Sequence, residues 1–514
     1  MVRILISPYQ RSSWMFSLLE EPWIPLVSTS GMRTIASISD ALLTPSQWRG
    51  IDSTNPVECL AIHRLLLAIC HRAIGPGTTE QRGALLDSWP TQQIQTYLQQ
   101  WADRFDLFDP VRPFLQVAAL KPAGHPVRPW TLLCPDRASG SSRLLWDHSI
   151  DANPEPITPA AAARALVGHL QFALGGTIRQ KQYSGAAGPL VGILVITPVG
   201  NTLQEGLALS LVGQSAAEHQ LDLPPWERDP LQLSALTDPV KPTVPAGPAQ
   251  RYTWLGRAVL LLPPSLWTDS VTGVLYDGGE RIAESPVPDP MAAMVTGKKG
   301  PMPLMLREAR AMWRDANALM GAEGSVPPET IRNAAAIRMG RGEFDPIDLL
   351  AGGFCHGAEL AKPGIWRLEE RRISPALLAQ GNAVAVAQAA LDLAESTGTA
   401  MRKAAFSLFA SWLQKGGEHS PATSDITGLL DSTQVMAHYW ASLEPEFWSL
   451  IDQLSTTTDA DAIATSWANT LKRTVNATWN NAIRSLGTDG RALAAAGRSS
   501  HQLGRVLKPL LSAN

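Results

Sequence analysis

The chain lacks most of what usually marks an enzyme or a membrane protein. Four cysteines in 514 residues (Cys59, Cys70, Cys134 and Cys355) form no CxxC pair, which excludes a disulfide framework and favours a reducing cytoplasm. Charged residues are 17% of the sequence, below the roughly 25% of ordinary soluble domains. With 45% hydrophobic residues this excludes a disordered chain, since disorder needs low hydrophobicity and high net charge. No run approaches the ~18 apolar residues that span a bilayer, so no membrane partner is expected. A formal charge of −3 excludes a globally basic nucleic-acid coat protein but not a local basic patch.

Catalytic signatures are absent too. There is no GxxxxGK[ST] phosphate loop, and Gly340-Arg341-Gly342 lacks the third glycine of a dinucleotide turn. Gly213-Gln214-Ser215-Ala216-Ala217 approaches a nucleophile elbow but lacks its final glycine. His63 and His71 lie eight residues apart on one expected helix, about 80° apart around it, which suits joint metal ligation poorly. Both read as surface or partly buried histidines, and no metal or cofactor is expected. A dispersed set of ligands, as in a metal-dependent nuclease or other hydrolase, is the alternative these absences leave open.

What is present is a change of texture near residue 374. Before it, proline and glycine are frequent and segments of both periods alternate. After it, long 3.6-residue patterns dominate. The expected fold class is α+β: a large mixed N-terminal domain over 1–373, then a four-helix bundle over 374–514. Ser374 and Pro375 form a helix start, and the helices are expected near 375–414, 426–455, 459–486 and 490–511. The third opens with Thr458 and Asp461 at capping-box spacing. In the mixed part, helices are expected over 56–74 and 91–105, and from Thr158-Pro159 to Gly175-Gly176, with strands at 189–197 and 256–262.

From Leu471 onward seven cations face one acid, Asp489. Arg491, Arg498 and Arg505 recur every seven residues, along one stripe of the last helix. Like charges stacked in this way repel, and two readings stand side by side: a surface helix with a basic bias, or a ridge that tracks a phosphate backbone.

The segment Phe16 to Pro25, FSLLEEPWIP, and the block Trp101 to Gln116, WADRFDLFDPVRPFLQ, resemble the CasA family, the large subunit of the type I-E CRISPR surveillance complex Cascade. Shorter matches follow in order: Leu144 to His148, Phe172 to Gly176, Thr253-Trp254, Lys298 to Gly300, Ala311 to Asp315, and His438 to Trp448. The resemblance implies a non-catalytic subunit. It would hold the guide RNA 5′ handle, read a protospacer-adjacent motif in double-stranded target DNA and open the strands. It would also sit among the other Cascade subunits and offer a docking surface to the CRISPR helicase-nuclease. Trp146 matches a loop aromatic near the guide handle, and Gly175 and Gly176 match a glycine loop that approaches the minor groove, with Arg179 and Lys181 beside it. Two departures stand out. Pro263 to Ser270 carries no lysine where family members have one that reaches the motif. Gly352 to Leu360 carries no glutamine where the family has a wedge, which leaves the tip to His356 or Glu359, with Gly357 among the residues expected to meet nucleic acid.

Overall fold

The computed structural model describes residues 15–75, 77–135, 155–177, 184–185, 187–236, 240–264, 269–283, 287–308, 310–356, 363–379, 381–414, 420–456 and 459–511. They form two compact units. One comprises Met1–Glu308 with Pro327–Arg372; the other comprises Ala309–Val326 with Ile373–Asn514.

In the first unit the opening segment leads into a three-stranded sheet of β1 (Ile24–Ser28), β2 (Arg33–Ala36) and β3 (Trp48–Ile51). The two longest resembling blocks meet here: Leu18 N–H donates to the Phe105 carbonyl (2.9 Å) and Leu107 N–H to that of Phe16 (3.0 Å). Helix α1 (Pro56–Ile74) starts where Asn55 accepts the N–H groups of Val57 and Glu58 with Pro56 at the first position, and it ends at left-handed Gly75. It is buried nearly all round, so it forms the axis of the core rather than an amphipathic cover. Helix α2 (Pro159–Phe172), capped by Thr158, packs against it. A Cβ on Gly168 would stand 2.8 Å from Val57 Cγ1, so glycine sets that close crossing.

This burial corrects the expectation for the α1 histidines. His63 is 5% exposed and His71 0%. His63 Nε2 shares a hydrogen bond with Thr197 Oγ1 (3.2 Å). The apolar run around them belongs to a helix with no wet side, which an eight-residue spacing cannot reveal. Ser215 of the near-elbow is a helix N-cap, its hydroxyl accepting from Glu218 N–H.

In the second unit, α3 (Gly381–Leu413), α4 (Thr423–Ser432), α5 (Val435–Leu454), α6 (Ala460–Ser485) and α7 (Gly490–Leu511) follow in order, and α3 packs on all the others. The expected helix over 426–455 is two, because Gln434 takes a left-handed conformation (φ 51°) and turns the chain. The cap of α6 is Asp459, whose side chain accepts from Ala462 N–H (2.9 Å); Thr458 lies outside the described residues. Tyr439 donates to the Ala394 carbonyl (3.0 Å) and Trp467 Nε1 to that of Ala390 (2.8 Å), tying α5 and α6 to the middle of α3.

The segment Ala309–Val326 completes this unit from upstream. Trp313, fully buried, meets the rings of Phe447 (5.3 Å) and Trp440 (6.0 Å). Arg314 stacks on Trp440 (3.5 Å to the centroid) and pairs with Glu395 (2.8 Å), which Arg310 also holds (2.7 Å).

Candidate nucleic-acid interface

Helix α2 ends at Phe172, and its C-cap is Ala173, with φ −59° and ψ 125°. The glycines at 175 and 176 therefore do not cap it, contrary to the expected helix end. They open a small hairpin, β4 (Gly176–Thr177) against β5 (Ser184–Gly185), with Gly176 opposite Gly185. Arg179 and Lys181 fall between the strands, outside the described residues, as does Trp146.

Both ends of this loop are fastened. On the way in, Leu174 C=O accepts from Arg257 Nη2 (2.8 Å), and Arg257 is steadied by Tyr276 Oη (2.7 Å). On the way out, Gly188 N–H donates to Ala173 C=O (2.7 Å) and Leu190 N–H to Gln171 C=O (3.0 Å). A Cβ on Gly188 would lie 2.6 Å from the Gln171 carbonyl oxygen, so only glycine lets the chain return this closely.

The next residues carry the second candidate. Strand β6 (Val195–Val199) pairs antiparallel with the later strand Ile347–His356, Leu350 opposite Thr197. On its other side that strand borders Pro363–Ile373. Only six residues join these two neighbours, too few for a parallel crossover, so they form a hairpin. Near its loop end the first strand of this hairpin rests on the chain leaving the glycine hairpin: Gly192 N–H donates to Phe354 C=O (2.8 Å), and a Cβ on Gly353 would stand 2.5 Å from Ile193 O. The turn over residues 188–193 is thus a shared root in one sense: it holds the exit of the glycine hairpin and the loop end of the second hairpin's first strand, about 180 residues apart in sequence. His356 ends its strand, and Gly357 and Glu359 lie outside the described residues.

Beneath the root runs a buried polar chain. Gln171 Oε1 accepts from Arg64 Nε (3.1 Å), and Arg64 grips Asp289 with two bonds of 2.9 and 2.8 Å. Burial alone would raise the Asp289 carboxyl, but the charge and hydrogen bonds of Arg64, joined by the Arg251 charge and the Met291 N–H, together hold the group below its ordinary range. The neighbouring histidines stay neutral. Burial, then the Arg64 charge, pushes His63 down to about 4; burial, then His219 and Arg82, pushes His71 to about 3; burial, then Arg257, pushes His169 to about 3. The unfolded chain binds these protons near pH 6.5, whereas the folded chain refuses them until pH 3–4. The unfolding temperature is therefore expected to be flat above about pH 6.5 and to fall as pH drops through that window. A pH series of melting curves checks it; an unchanged midpoint down to pH 4 would contradict it.

On α7, Arg491, Arg498 and Arg505 are exposed. Two of them reach back to the end of α3: Arg491 Nε donates to Trp412 C=O (2.6 Å), with its guanidinium over the Trp412 ring, and Arg498 Nε and Nη2 bond to Ser411 Oγ and C=O (2.8 and 3.1 Å). Cations at a helix C-terminus offset its partial negative charge. Arg505 has no partner among the described residues.

Sequence reasoning gave no role to Arg257, whose tether to Leu174 no spacing rule anticipates. Lys298 and Lys299 stand exposed at the two-residue tip between β-strands Met294–Gly297 and Gly300–Pro303, with Gly300 at φ +118°. The paired glycines were the available signal. Among the described residues no group of three His, Cys, Asp or Glu side chains could hold a metal ion, and no helix is long and apolar enough to cross a membrane.

The family described as CRISPR-associated protein Cse1 matches residues 17–478. The CasA/Cse1 protein of Thermus thermophilus is 32% identical over 515 aligned residues, covering 96% of this chain and 98% of that one. A solved structure of Thermus thermophilus CasA (Cse1) superposes with a TM-score of 0.82 at 29% identity, covering 96% of this chain and 99% of the other. A chain of a structure titled as a CRISPR RNA-guided surveillance complex shares the fold at a TM-score of 0.77 and 24% identity, over 95% of this chain and 99% of that one. On the family match and the Thermus relative, whose identity runs almost end to end, the chain belongs to the CRISPR-associated Cse1 (CasA) family.

Proposed function

We propose that this chain is the non-catalytic DNA-recognition subunit of a Cascade-type RNA-guided complex. It reads the protospacer-adjacent motif in duplex DNA, starts strand separation, holds the guide RNA 5′ handle and receives the helicase-nuclease. The observation that carries the reading is the shared root of the two hairpins. A glycine hairpin can bring bare backbone against a groove that side chains would obstruct. A second, longer hairpin touching the same turn supplies a blade next to it, and His356, which ends its first strand, and Gly357 after it in sequence are the candidate wedge residues. Opening one base step costs a few kcal/mol, within reach of a positioned wedge. Delegating sequence to guide pairing leaves the protein only the motif and the strand entry to manage. Trp146 would stack near the guide handle, and Arg179 and Lys181 would hold phosphates beside the glycines.

The test is a library of adjacent motifs bound by the assembled complex with and without this chain. Motif-dependent binding and unwinding should vanish without it; equal performance of the two particles rejects the proposal. Within the chain, Gly175→Trp or Gly176→Trp should weaken binding to preferred motifs by about tenfold, ~1.4 kcal/mol, or more. Melting of the isolated chain should hardly change. A matched loss of stability and binding would assign the glycines to folding alone.

A further inference from the structure

The block Trp101–Gln116 contributes nothing to the interface above, yet it surrounds a cleft of ≈ 50 Å³ walled by Arg104, Arg112, Leu115, Trp226 and Arg228. Roughly 10–15 Å³ of such space holds one water, so there is room for a group of phosphate size.

Two independent features mark it. The first is backbone strain. Leu115 has φ +51° at the third position of a turn closed by Gln116 N–H on Pro113 C=O (3.1 Å), a position that favours glycine or asparagine. The turn is pinned from several sides: Phe114 N–H donates to Asp106 C=O (2.9 Å), Gln116 Nε2 to Leu107 C=O (2.7 Å), and Leu261 N–H to Gln116 Oε1 (2.7 Å). Strain held by such over-determination clusters at ligand clamps.

The second is convergent positive charge. Arg104 is 8% exposed; its Nη2 donates to Arg228 C=O (2.9 Å) and to Pro225 C=O (3.4 Å), which leaves Nε and Nη1 without an acceptor among the described residues. Arg228 spends its Nη atoms on Glu280, while its buried Nε has no partner. Arg112 meets Asp103 only at 3.9 Å. Asp229, exposed, is the sole carboxylate among the lining residues. Burial, followed by the Arg112 charge, weakens the hold of Arg104 on its own proton, as expected of a cation lacking a close counterion.

The ligand class follows from what is occupied and what is not. Phe105, Phe114 and Trp226 pack on one another (5.0, 5.2 and 5.9 Å), and Phe114 and Trp226 are 1% and 2% exposed, so no ring face is open to stack a base. Unspent guanidinium N–H groups match the oxygens of a phosphate. We propose that this cleft binds a phosphate group, an oxyanion site that stands whether or not the function above is right. Its source is either free phosphate or the backbone of a nucleic-acid strand.

The full-length chain is titrated calorimetrically at fixed ionic strength with two probes, inorganic phosphate and a short abasic oligodeoxynucleotide. Binding of both to the wild type indicates a general phosphate site; binding of the oligonucleotide alone identifies a strand as the source. In either case Arg112→Ala, an exposed position, should weaken binding at least tenfold while its melting temperature stays near wild type. Arg33→Ala, an exposed arginine outside the cleft, should bind normally. Arg104→Gln should abolish binding, and if it misfolds the Arg112 result still decides. No binding of either probe, or equal binding by wild type and Arg112→Ala, overturns the proposal.

Discussion

Asp289→Ala should cost this protein about 3–5 kcal/mol of folding stability, the usual penalty for stranding one half of a buried ion pair. Arg64 is fully buried, and both its Nη atoms are committed to this carboxylate. Removing the carboxylate leaves a cation with only Gln171, the sulfur of Met291 and the ring of Tyr252. Replacing both partners together, Arg64→Met with Asp289→Leu, should be far milder, because no uncompensated charge remains. Denaturant unfolding of the two singles and the double measures the coupling. Similar losses in all three would mean that packing, not charge, dominates the site. Since Gln171 also receives Leu190 N–H at the root of the hairpins, the single variant should loosen that root as well.

Arg491, Arg498 and Arg505 replaced together by Ala should lower the salt dependence of target binding by the assembled complex by up to ~3 units, at about 0.9 per neutralised phosphate. The structure separates the three. Among the described residues Arg505 has no partner to lose, so Arg505→Ala alone should reduce the slope by about one unit with no change in melting. Arg498 bonds Ser411 twice and Arg491 stacks on Trp412, so removing either should also lower the melting temperature. A slope unchanged in the triple variant would confine Arg491 and Arg498 to holding the end of α3 and leave Arg505 as solvated surface.

Much of the fold was legible because long periodic segments and caps are local. Pro159 after Thr158, Asn55 before Pro56, and the break at Gly487 to Gly490 each announce an element in a few residues. The strand near 256–262 was equally visible. The candidate site could be marked at Gly175, Gly176 and the 352–360 stretch only by resemblance. What united them, the approach of Gly192 to Phe354 and of Gly188 to Ala173, depends on a missing Cβ meeting a carbonyl far away in sequence, and no periodicity encodes that. The burial of His63 and His71 escaped for a related reason. A helix wrapped on every side gives no polar stripe to show which of its polar residues face inward. The arginine stripe on α7 was visible as spacing, but its bonds to Ser411 and Trp412 depend on where α3 ends.

The helical unit has a consequence for how this chain acquires its structure. Its last aromatic contact, Trp313 against Phe447 and Trp440, and the ion pairs that neutralise Glu395 come from a segment made before the helices themselves. That segment must wait through well over a hundred residues of synthesis for its socket. Closing such a loop delays the reward until the entropy has been spent, which is the signature of slow, high-contact-order assembly. Helices synthesised as a separate piece from Ser374 onward would collapse quickly but retain an open apolar socket beside an unpaired carboxylate. Docking of the one upstream tryptophan is what fills that socket and covers its apolar surface.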